Sequence, residues 1–358
     1  MFKNFSFLLI ALFLVSCESD SYDLVIQNGI IYDGSGSDSE SVDIAIIGNQ
    51  IVKVGKINSK NSIKIIDASG LVVSPGFIDT HAHLDPMSNF IKLSNGESHV
   101  RQGVTTSFGG PDGRGVPLKY GFKEFLDSIE KVGVGMNVGF LTGHNKIRRV
   151  VMNLDNREPT EKELERMKNL ASKAMDEGAF GISTGLKYLP GNFSKVDEVI
   201  EISKEISKKG GVYTSHLRDE GLKIIEAVNE AIKISKDADI SVVLTHHKVI
   251  GKPMWGKSSI TLSLIDSARQ KGIKVMADQY PYSASHTGIN VLIPTWARAG
   301  GSQEFKSRVS NKTTRKKIED EIVFNILNDR GGNDLNRIQF SRVSWKPELE
   351  GKTLKDWA

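Results

Sequence analysis

Two histidines separated by one residue, His81 and His83, follow a short apolar run that predicts a β-strand. Residues i and i+2 of an extended segment point to the same face, so both imidazoles can bind one metal ion. Three more histidines hold similar places, because His216 ends one predicted strand and His246 and His247 end the next. Imidazoles together with a carboxylate suit zinc or a similar divalent ion, which activates water and polarises a carbonyl. The sequence therefore predicts a metal site at the ends of several strands.

The overall composition is that of an ordinary globular protein. Of the 358 residues, 39% are hydrophobic and 25% are charged, which argues against a disordered, collagen-like or polytopic membrane protein. The net charge of +4 arises from 47 basic and 43 acidic residues, a balance that excludes a strongly basic nucleic-acid-binding surface. Cys17 is the single cysteine, so neither a disulfide nor a thiolate-rich metal site can form within the chain. The metal ligands must therefore be nitrogen and oxygen.

The N-terminus has the pattern of an export segment. Lys3 precedes an apolar run over residues 5–15, which is too short to span a bilayer, since a spanning helix needs about 20 apolar residues. The ending Leu14-Val15-Ser16-Cys17 resembles the lipobox of bacterial lipoproteins, in which the cysteine is acylated. We therefore expect a signal peptide over 1–16 and a lipid anchor on Cys17. Residues 17–22 would tether the protein to the bacterial cell envelope, and a plain signal peptide with an incidental cysteine is the alternative.

The rest of the chain divides into two regions with different periodicity. Residues 23–68 alternate apolar and polar positions between Gly, Asn and Ser, which predicts a small module of hairpin-connected strands. From residue 69 onward, short apolar runs alternate with amphipathic helical segments, which is typical of an α/β barrel with its active site at the carboxyl ends of the strands. Seven such strands are predicted, over 72–78, 105–108, 137–141, 181–183, 212–215, 241–245 and 274–277.

Five motifs link this sequence to a known family. The segment 75–83, Pro-Gly-Phe-Ile-Asp-Thr-His-Ala-His, resembles the opening motif of the amidohydrolase superfamily. Four further motifs resemble the N-acyl-D-amino-acid deacylases, or D-aminoacylases, and they occur in order at 181–191, 214–221, 241–248 and 278–282. The resemblance implies a metal-dependent (β/α)8-type barrel and a small β-sandwich domain built from both chain ends. It also implies one or two zinc ions per chain.

The resemblance also implies a set of metal ligands. They are His81, His83, His216 and His246. One position departs from the family pattern: typical members have a metal-bridging cysteine in a Gly-Asn-Cys-Gly turn, where this chain reads Gly-Pro-Asp-Gly over 110–113. Asp112 is the expected bridge, because a carboxylate is a good zinc ligand. A carboxylated Lys187, as in other superfamily branches, and the absence of any protein bridge are the alternatives.

Several other residues are expected near the metal. By the resemblance, Tyr188, Lys248, Tyr280 and Ser285 face the substrate, where a cation and hydroxyl groups can bind a carboxylate. His144 ends the third barrel strand and could orient the substrate or an oxyanion. The remaining candidates are given lesser roles: residues 218–220 as a network that positions His216, His247 as a packing residue, and His99 and His286 with no function.

The eighth strand of the barrel is not evident in the sequence. The superfamily places a proton-transferring aspartate at its end, and no such aspartate is visible. The resemblance assigns about 288–358 to an insertion after strand seven, so residues 69–358 are expected to form an incomplete barrel. We expect a chain with this incomplete barrel to be unstable and inactive.

The main functional hypothesis is zinc-dependent hydrolysis of the amide bond of small N-acyl-D-amino acids. Two alternatives stay open. The same barrel could act on a cyclic amide or a dipeptide, as in the hydantoinase-like branch, or the chain could be a lipid-anchored binding protein without catalysis.

Overall fold

The computed structural model describes residues 21–84, 94–116 and 121–358. The predicted signal peptide over 1–16 and Cys17 lie outside these residues. The chain divides into two compact units, the first ending at Gly76 and the second beginning at Phe77. Among the described helices, none is long and apolar enough to cross a membrane.

The first unit is one five-stranded sheet. Its strands are β1 (Leu24–Ile31), β2 (Glu40–Ile47), β3 (Gln50–Gly55), β4 (Lys64–Asp67) and β5 (Val72–Val73). Strand β1 lies at the centre, antiparallel to β2 and parallel to β4 and β5, and β3 pairs with β2. Its buried core consists of Tyr22, Val25, Ala45 and Ile57. The first unit ends at Gly76 and so extends beyond residue 68, where the sequence predicts its end.

The described part of the second unit contains eight strands, each parallel to its neighbours in the sheet. They are β6 (Phe77–Asp79), β7 (Val104–Gly109), β8 (Asn137–Phe140), β9 (Thr142–Gly143), β10 (Gly181–Gly185), β11 (Val212–His216), β12 (Val242–Leu244) and β13 (Val275–Ala277). They form one sheet of β6-β7-β8 and another of β9 to β13. Along the chain, Leu141 connects β8 of the first sheet to β9 of the second, and its N–H donates to the carbonyl of Gly109. Within the described residues, β6 and β13 are the end strands of this α/β arrangement.

One predicted strand is divided in two. The sequence predicts a single strand over 72–78, but the structure has β5 and β6 separated by Ser74-Pro75-Gly76. Proline has no N–H to donate to a sheet, so the strand ends there. As a result β5 pairs with β1 of the first unit and β6 pairs with β7 of the second.

Helices lie between the strands of the second unit and after its last strand. They are α1 (Glu97–Val100), α2 (Phe122–Val132), α3 (His144–Met152), α4 (Glu161–Asp176), α5 (Val196–Ser207), α6 (Ile224–Ala238), α7 (Ser258–Gln270), α8 (Ser302–Ser310), α9 (Lys312–Asn328) and α10 (Leu354–Trp357). Helix α4 begins with a capping box, in which Thr160 and Glu163 each bond the other's backbone N–H. Helices α4 to α7 lie between strands, as the alternation in the sequence predicts.

The largest apolar core lies between strands β10 to β13 and helices α3 to α7. Ile182, Ile202, Tyr213 and Val228 within it are at most 1% exposed. Each fully buried aliphatic side chain contributes about 1.5–3 kcal/mol to stability. This core holds the strands in place, so the residues at their carboxyl ends have fixed positions.

The described region after β13 contains helices α8 to α10 and short 3-10 turns but no further strand. The apolar segment 338–343 does not form a strand but a single bridge between Gln339 and Thr353, with Phe340, Val343 and Leu349 packed together. The basic residues over 306–317 lie on α8 and α9, where Arg315 pairs with Glu319 and Lys316 with Asp320. These are exposed pairs of side chains four residues apart on one helix.

Candidate metal centre

Four histidine side chains surround one carboxylate at the strand ends. Oδ1 of Asp112 lies 3.6 Å from His81 Nε2, from His216 Nδ1 and from His246 Nε2, and Oδ2 lies 3.3 Å from His83 Nε2. Two groups of side chains could each hold a metal ion, with their ligand atoms within 4.8 Å of one another. One group is His81, His83 and Asp112, and the other is Asp112, His216 and His246. Asp112 thus belongs to both groups.

The histidines come together because of where their strands end. His81 and His83 follow β6, His216 is the last residue of β11, and His246 follows β12. Neighbouring parallel strands end at the same edge of a sheet, as they do in α/β barrels. The four imidazoles expected as ligands are therefore all brought to one point.

Asp112 reaches this point from a tight turn after β7. Its φ is 56°, in the left-handed region that aspartate tolerates better than most residues. The turn is braced by Ser183, whose hydroxyl donates to the Gly110 carbonyl (2.7 Å) and accepts from the Gly113 N–H (3.1 Å). The buried amide of Asn145 also packs here, since a Cβ on Gly113 would lie 2.0 Å from its Oδ1. Neither Ser183 nor Asn145 is predicted from the sequence to have a role.

The electrostatics of this cluster favour a charged carboxylate. Burial would raise the pKa of Asp112, but the facing imidazoles hold it well below its usual range. Burial lowers the pKa of His81, yet Asp112 and Asp278 outweigh burial and raise it to about 9. His216 is different, because burial dominates and lowers its pKa. The cluster is therefore one buried anion within a shell of imidazoles.

The donor set fits a metal. Among the residues that the structure describes, Oδ1 of Asp112 is buried and has no hydrogen-bond partner, and the same is true of His81 Nδ1 and His216 Nε2. A buried polar atom without a partner costs about 1–3 kcal/mol. A divalent ion bound between Asp112 and the imidazoles would satisfy that oxygen, and nitrogen and oxygen ligands of this kind suit zinc.

A second carboxylate, Glu220, lies behind two of the histidines. Its Oε1 is 3.0 Å from His246 Nδ1 and 2.6 Å from Lys248 Nζ. Burial would raise the pKa of Glu220, but the charges of His216, His246 and Lys248 hold it well below its usual range. Lys248 also donates to the His246 carbonyl at 2.8 Å. The anion that the sequence analysis expected for Lys248 is thus already supplied within the chain.

Both predicted tyrosines lie against the histidines. The Tyr188 ring centroid is 4.5 Å from that of His216, and its hydroxyl is 3.3 Å from Thr287 Oγ1. The Tyr280 ring lies 5.3 Å from Lys248 Nζ and 6.4 Å from the His246 ring. Burial raises the pKa of both phenols, that of Tyr280 to about 12. Both hydroxyls therefore keep their protons at neutral pH.

Three other predicted residues have different surroundings. His144 is fully buried and its Nε2 lies 2.8 Å from Glu198, so this placement does not support the predicted contact with substrate. Lys187 Nζ lies 3.4 Å from Asp329 and 3.7 Å from Asp219, so its amine is paired with these two carboxylates while Asp112 is shared by both metal groups. Ser285 is exposed, and its contact with substrate stays a prediction.

Comparisons with known proteins agree with this arrangement. No model of a known protein family matches the chain. The chain is 34% identical to a D-aminoacylase of Alcaligenes xylosoxydans xylosoxydans over 290 residues, which is 75% of this chain and 59% of that enzyme. This chain therefore spans less than two thirds of the length of that curated relative.

Two solved structures are similar over most of the chain. One is N-acyl-D-glutamate deacylase from Bordetella bronchiseptica, complexed with zinc and a phosphonate inhibitor, at 27% identity and a TM-score of 0.76 over 94% of this chain and 67% of that one. The other is a D-aminoacylase studied for its binuclear metal centre, at 30% identity and a TM-score of 0.70 over 84% of this chain and 69% of that one. The resemblance seen in the sequence is confirmed, and this chain belongs to the D-aminoacylase family of amidohydrolases.

Proposed function

We propose that the protein hydrolyses the amide bond of N-acyl-D-amino acids with the help of one or two zinc ions. The observation that carries this proposal is the sharing of Asp112 between two pairs of histidines. The relatives named above support the substrate class, because one is a D-aminoacylase and another is an N-acyl-D-glutamate deacylase complexed with zinc. The D stereochemistry is part of the proposal and comes from these relatives alone.

The residues of the site divide into ligands and substrate-facing groups. His81, His83, Asp112, His216 and His246 would hold the metal. The bound metal supplies a water molecule of lowered pKa and polarises the substrate carbonyl. The ligands fix this chemistry at the edge of the parallel strands, next to the two tyrosines.

The substrate-facing groups suit an acylated amino acid. Tyr188 and Tyr280 keep their hydroxyl protons and can donate hydrogen bonds to a carboxylate or a carbonyl oxygen. Lys248 lies next to Tyr280, but its charge is paired with Glu220. A free carboxylate on the substrate would therefore be bound mainly by the phenol hydroxyls, and the preference for an amino-acid derivative over a neutral amide rests on the relatives named above.

The test is a substrate panel. Protein expressed from its complete reading frame is loaded with zinc and given N-acetyl-D-amino acids, their L enantiomers, dipeptides and cyclic amides, and release of the amino group is measured. Turnover of the D series supports the proposal, with Asp112→Asn as an inactive control. Turnover of cyclic amides alone, or tight binding of substrate without turnover, would instead support the two alternatives.

We also propose that the protein is exported and anchored by lipid on Cys17. The support is the sequence pattern over residues 1–22. Two acyl signals or more are needed for stable anchoring, and a lipoprotein cysteine provides them. Cells grown with labelled palmitate should incorporate label into the protein, and Cys17→Ala should abolish it. Unlabelled protein in the membrane fraction would contradict the anchor.

A further inference from the structure

The C-terminal end of helix α9 lies against loops that follow three of the parallel strands. Lys187, after β10, has its Nζ 3.4 Å from Oδ2 of Asp329, the residue directly after α9. A Cβ on Gly221, after β11, would lie 2.4 Å from Asp329 Oδ1, and one on Gly251, after β12, would lie 2.7 Å from the Asn328 carbonyl oxygen. The end of α9 therefore has a fixed position at the edge where the metal centre lies.

The residue after Asp329 is Arg330, whose side chain is only 13% exposed. Its Nε is buried and has no hydrogen-bond partner within the described residues. Nε lies 3.6 Å from Oδ2 of Asp329, which is too long for a hydrogen bond, and Lys187 contacts the same oxygen. A guanidinium group has five N–H donors, and burying donors without acceptors is unfavourable. Arg330 is therefore a largely buried cation that can still donate to an anionic ligand.

The charge of Arg330 acts on both phenols of the site. Burial has the largest effect on the pKa of Tyr188 and of Tyr280 and raises both, whereas the charge of Arg330 lowers both. The guanidinium must lie near each phenol, because electrostatic interactions weaken with distance. Tyr188 also follows Lys187 directly in the chain, and the Lys187 ammonium contacts Asp329. The contact and the charge effect both place Arg330 beside the two tyrosines.

The cation next to Tyr280 is already paired. Lys248 Nζ lies 2.6 Å from Oε1 of the buried carboxylate of Glu220. The two phenols are neutral donors, and a charged donor binds a carboxylate more strongly than a neutral one does. Arginine is suited to this task, because its planar fork can form two parallel hydrogen bonds to one carboxylate. Arg330 can supply the charged donor that Lys248 does not.

We propose that Arg330 binds the free carboxylate of the substrate, together with the hydroxyls of Tyr188 and Tyr280. The guanidinium donates charge-assisted hydrogen bonds to the carboxylate, and the phenols donate to the same group. The contact between Lys187 and Asp329 holds the backbone that carries Arg330 against the loop after β10. This inference rests on the proposed function and identifies the residue that recognises the acid group of the substrate.

A matched pair of substrates tests the proposal. Protein expressed from its complete reading frame is loaded with zinc and given N-acetyl-D-alanine and its carboxamide, which differ in the charge of the acid group and carry a small side chain. The ratio of the two kcat/KM values measures recognition of the carboxylate. Arg330→Met removes the charged donor, so this ratio should fall about tenfold or more. An unchanged ratio in a folded Arg330→Met variant would overturn the proposal.

Two further variants control the measurement. Arg337→Met is the matched control, because Arg337 is 51% exposed and lies over the Trp255 ring at 4.9 Å. It should leave the ratio within about twofold. Arg330→Lys keeps the charge but cannot form two parallel bonds, so the ratio should fall about threefold or more. If Arg330→Met does not fold, Arg330→Lys decides the question, and an unchanged ratio in it would overturn the proposal.

Binding to the zinc-free protein separates this inference from the proposed function. Calorimetry compares the affinities of the acid and the carboxamide where no hydrolysis takes place. If the zinc-loaded protein hydrolyses no N-acyl-D-amino acid, the proposed function is wrong, but a preference for the acid that Arg330→Met removes still supports the role of Arg330. No preference for the acid in the unmodified protein overturns that role. If both compounds are hydrolysed and Arg330→Met leaves their ratio unchanged, only the role of Arg330 is wrong.

Discussion

His81 Nδ1, just after the first barrel strand, lies 3.8 Å from Oδ2 of Asp278, just after the last described one. Asp278 also accepts the backbone N–H of His246 through its other oxygen. One carboxylate therefore touches a histidine from each of the two metal groups. This contact links strand ends that lie at opposite edges of the described sheets.

We expect Asp278→Asn to weaken metal binding. The amide is neutral and can accept with only one of its polar atoms, so either the charge that faces His81 or the acceptor of the His246 backbone N–H is lost, and zinc affinity should fall about tenfold or more. Chelator competition measures the change. Asp266→Asn, on the exposed part of helix α7, is a matched control and should have no effect. Equal affinity in the Asp278 variant would show that the His81 contact is incidental.

Replacing the shared ligand should change the choice of metal. Asp112→Cys introduces the softer thiolate of typical family members, so the ratio of cadmium to manganese affinity should rise by about tenfold or more. Titration with each metal measures this ratio. Asp112→Asn keeps the size and the turn conformation but loses the charge, and it should weaken binding of both metals. An unchanged ratio in the cysteine variant would exclude Asp112 as a direct ligand.

We expect Asn145→Ala to change the position of Tyr188 more than the positions of the side chains proposed to bind metal. The Asn145 amide accepts from the Gly185 N–H at 3.0 Å and donates to the carbonyls of Gly185 and Tyr188 at 2.9 and 3.2 Å. Removing it leaves these groups without a partner, at about 1–3 kcal/mol of stability for a buried one. We expect KM to rise and zinc stoichiometry to stay the same, as measured by steady-state kinetics and metal analysis. Loss of zinc with an unchanged KM would show instead that Asn145 supports the metal site rather than Tyr188.

The buried ion pair of Glu198 should make stability depend on pH. Burial opposes ionisation of Glu198, but His144 and Arg148 lower its pKa below the ordinary value of 4.5. A carboxyl whose pKa is lower in the folded state adds stability above its unfolded pKa, and that stability is lost as pH falls toward the folded value. Urea unfolding should therefore show Glu198→Gln to be less stable at pH 7, with the difference from the unmodified protein shrinking at acidic pH. A constant difference would contradict this origin.

The convergence of four histidines could be predicted because it depends on local sequence. Strand periodicity placed His81, His83, His216 and His246 at strand ends, and parallel strands bring their ends to one edge. The partner of Lys187 could not be predicted in this way, since Asp329 lies 142 positions away, directly after helix α9. His144 also follows a strand, as the first residue of α3, but only the packing of helix α5 shows that Glu198 occupies its Nε2.

The strand boundaries also include local features that could be predicted and long-range features that could not. Alternation and apolar runs predicted the parallel strands of the second unit except β9, which lies beyond the strand predicted over 137–141, but not the separation of β5 from β6. That separation depends on which sheet each piece pairs with, and pairing partners far apart in the chain are not visible in a local pattern. The contacts of Glu220 are also long-range features, because its partners His246 and Lys248 follow the next strand.

The left-handed backbone at Asp112 constrains how this position can change by mutation. Cysteine and aspartate codons differ at their first and second positions. An exchange in two single-base steps therefore passes through glycine or tyrosine. Glycine suits a φ of 56° but offers no ligand, and tyrosine is too large for a side chain that is 7% exposed. A lineage that exchanges one of these side chains for the other in two single-base steps must therefore pass through a form in which the two histidine pairs share no ligand.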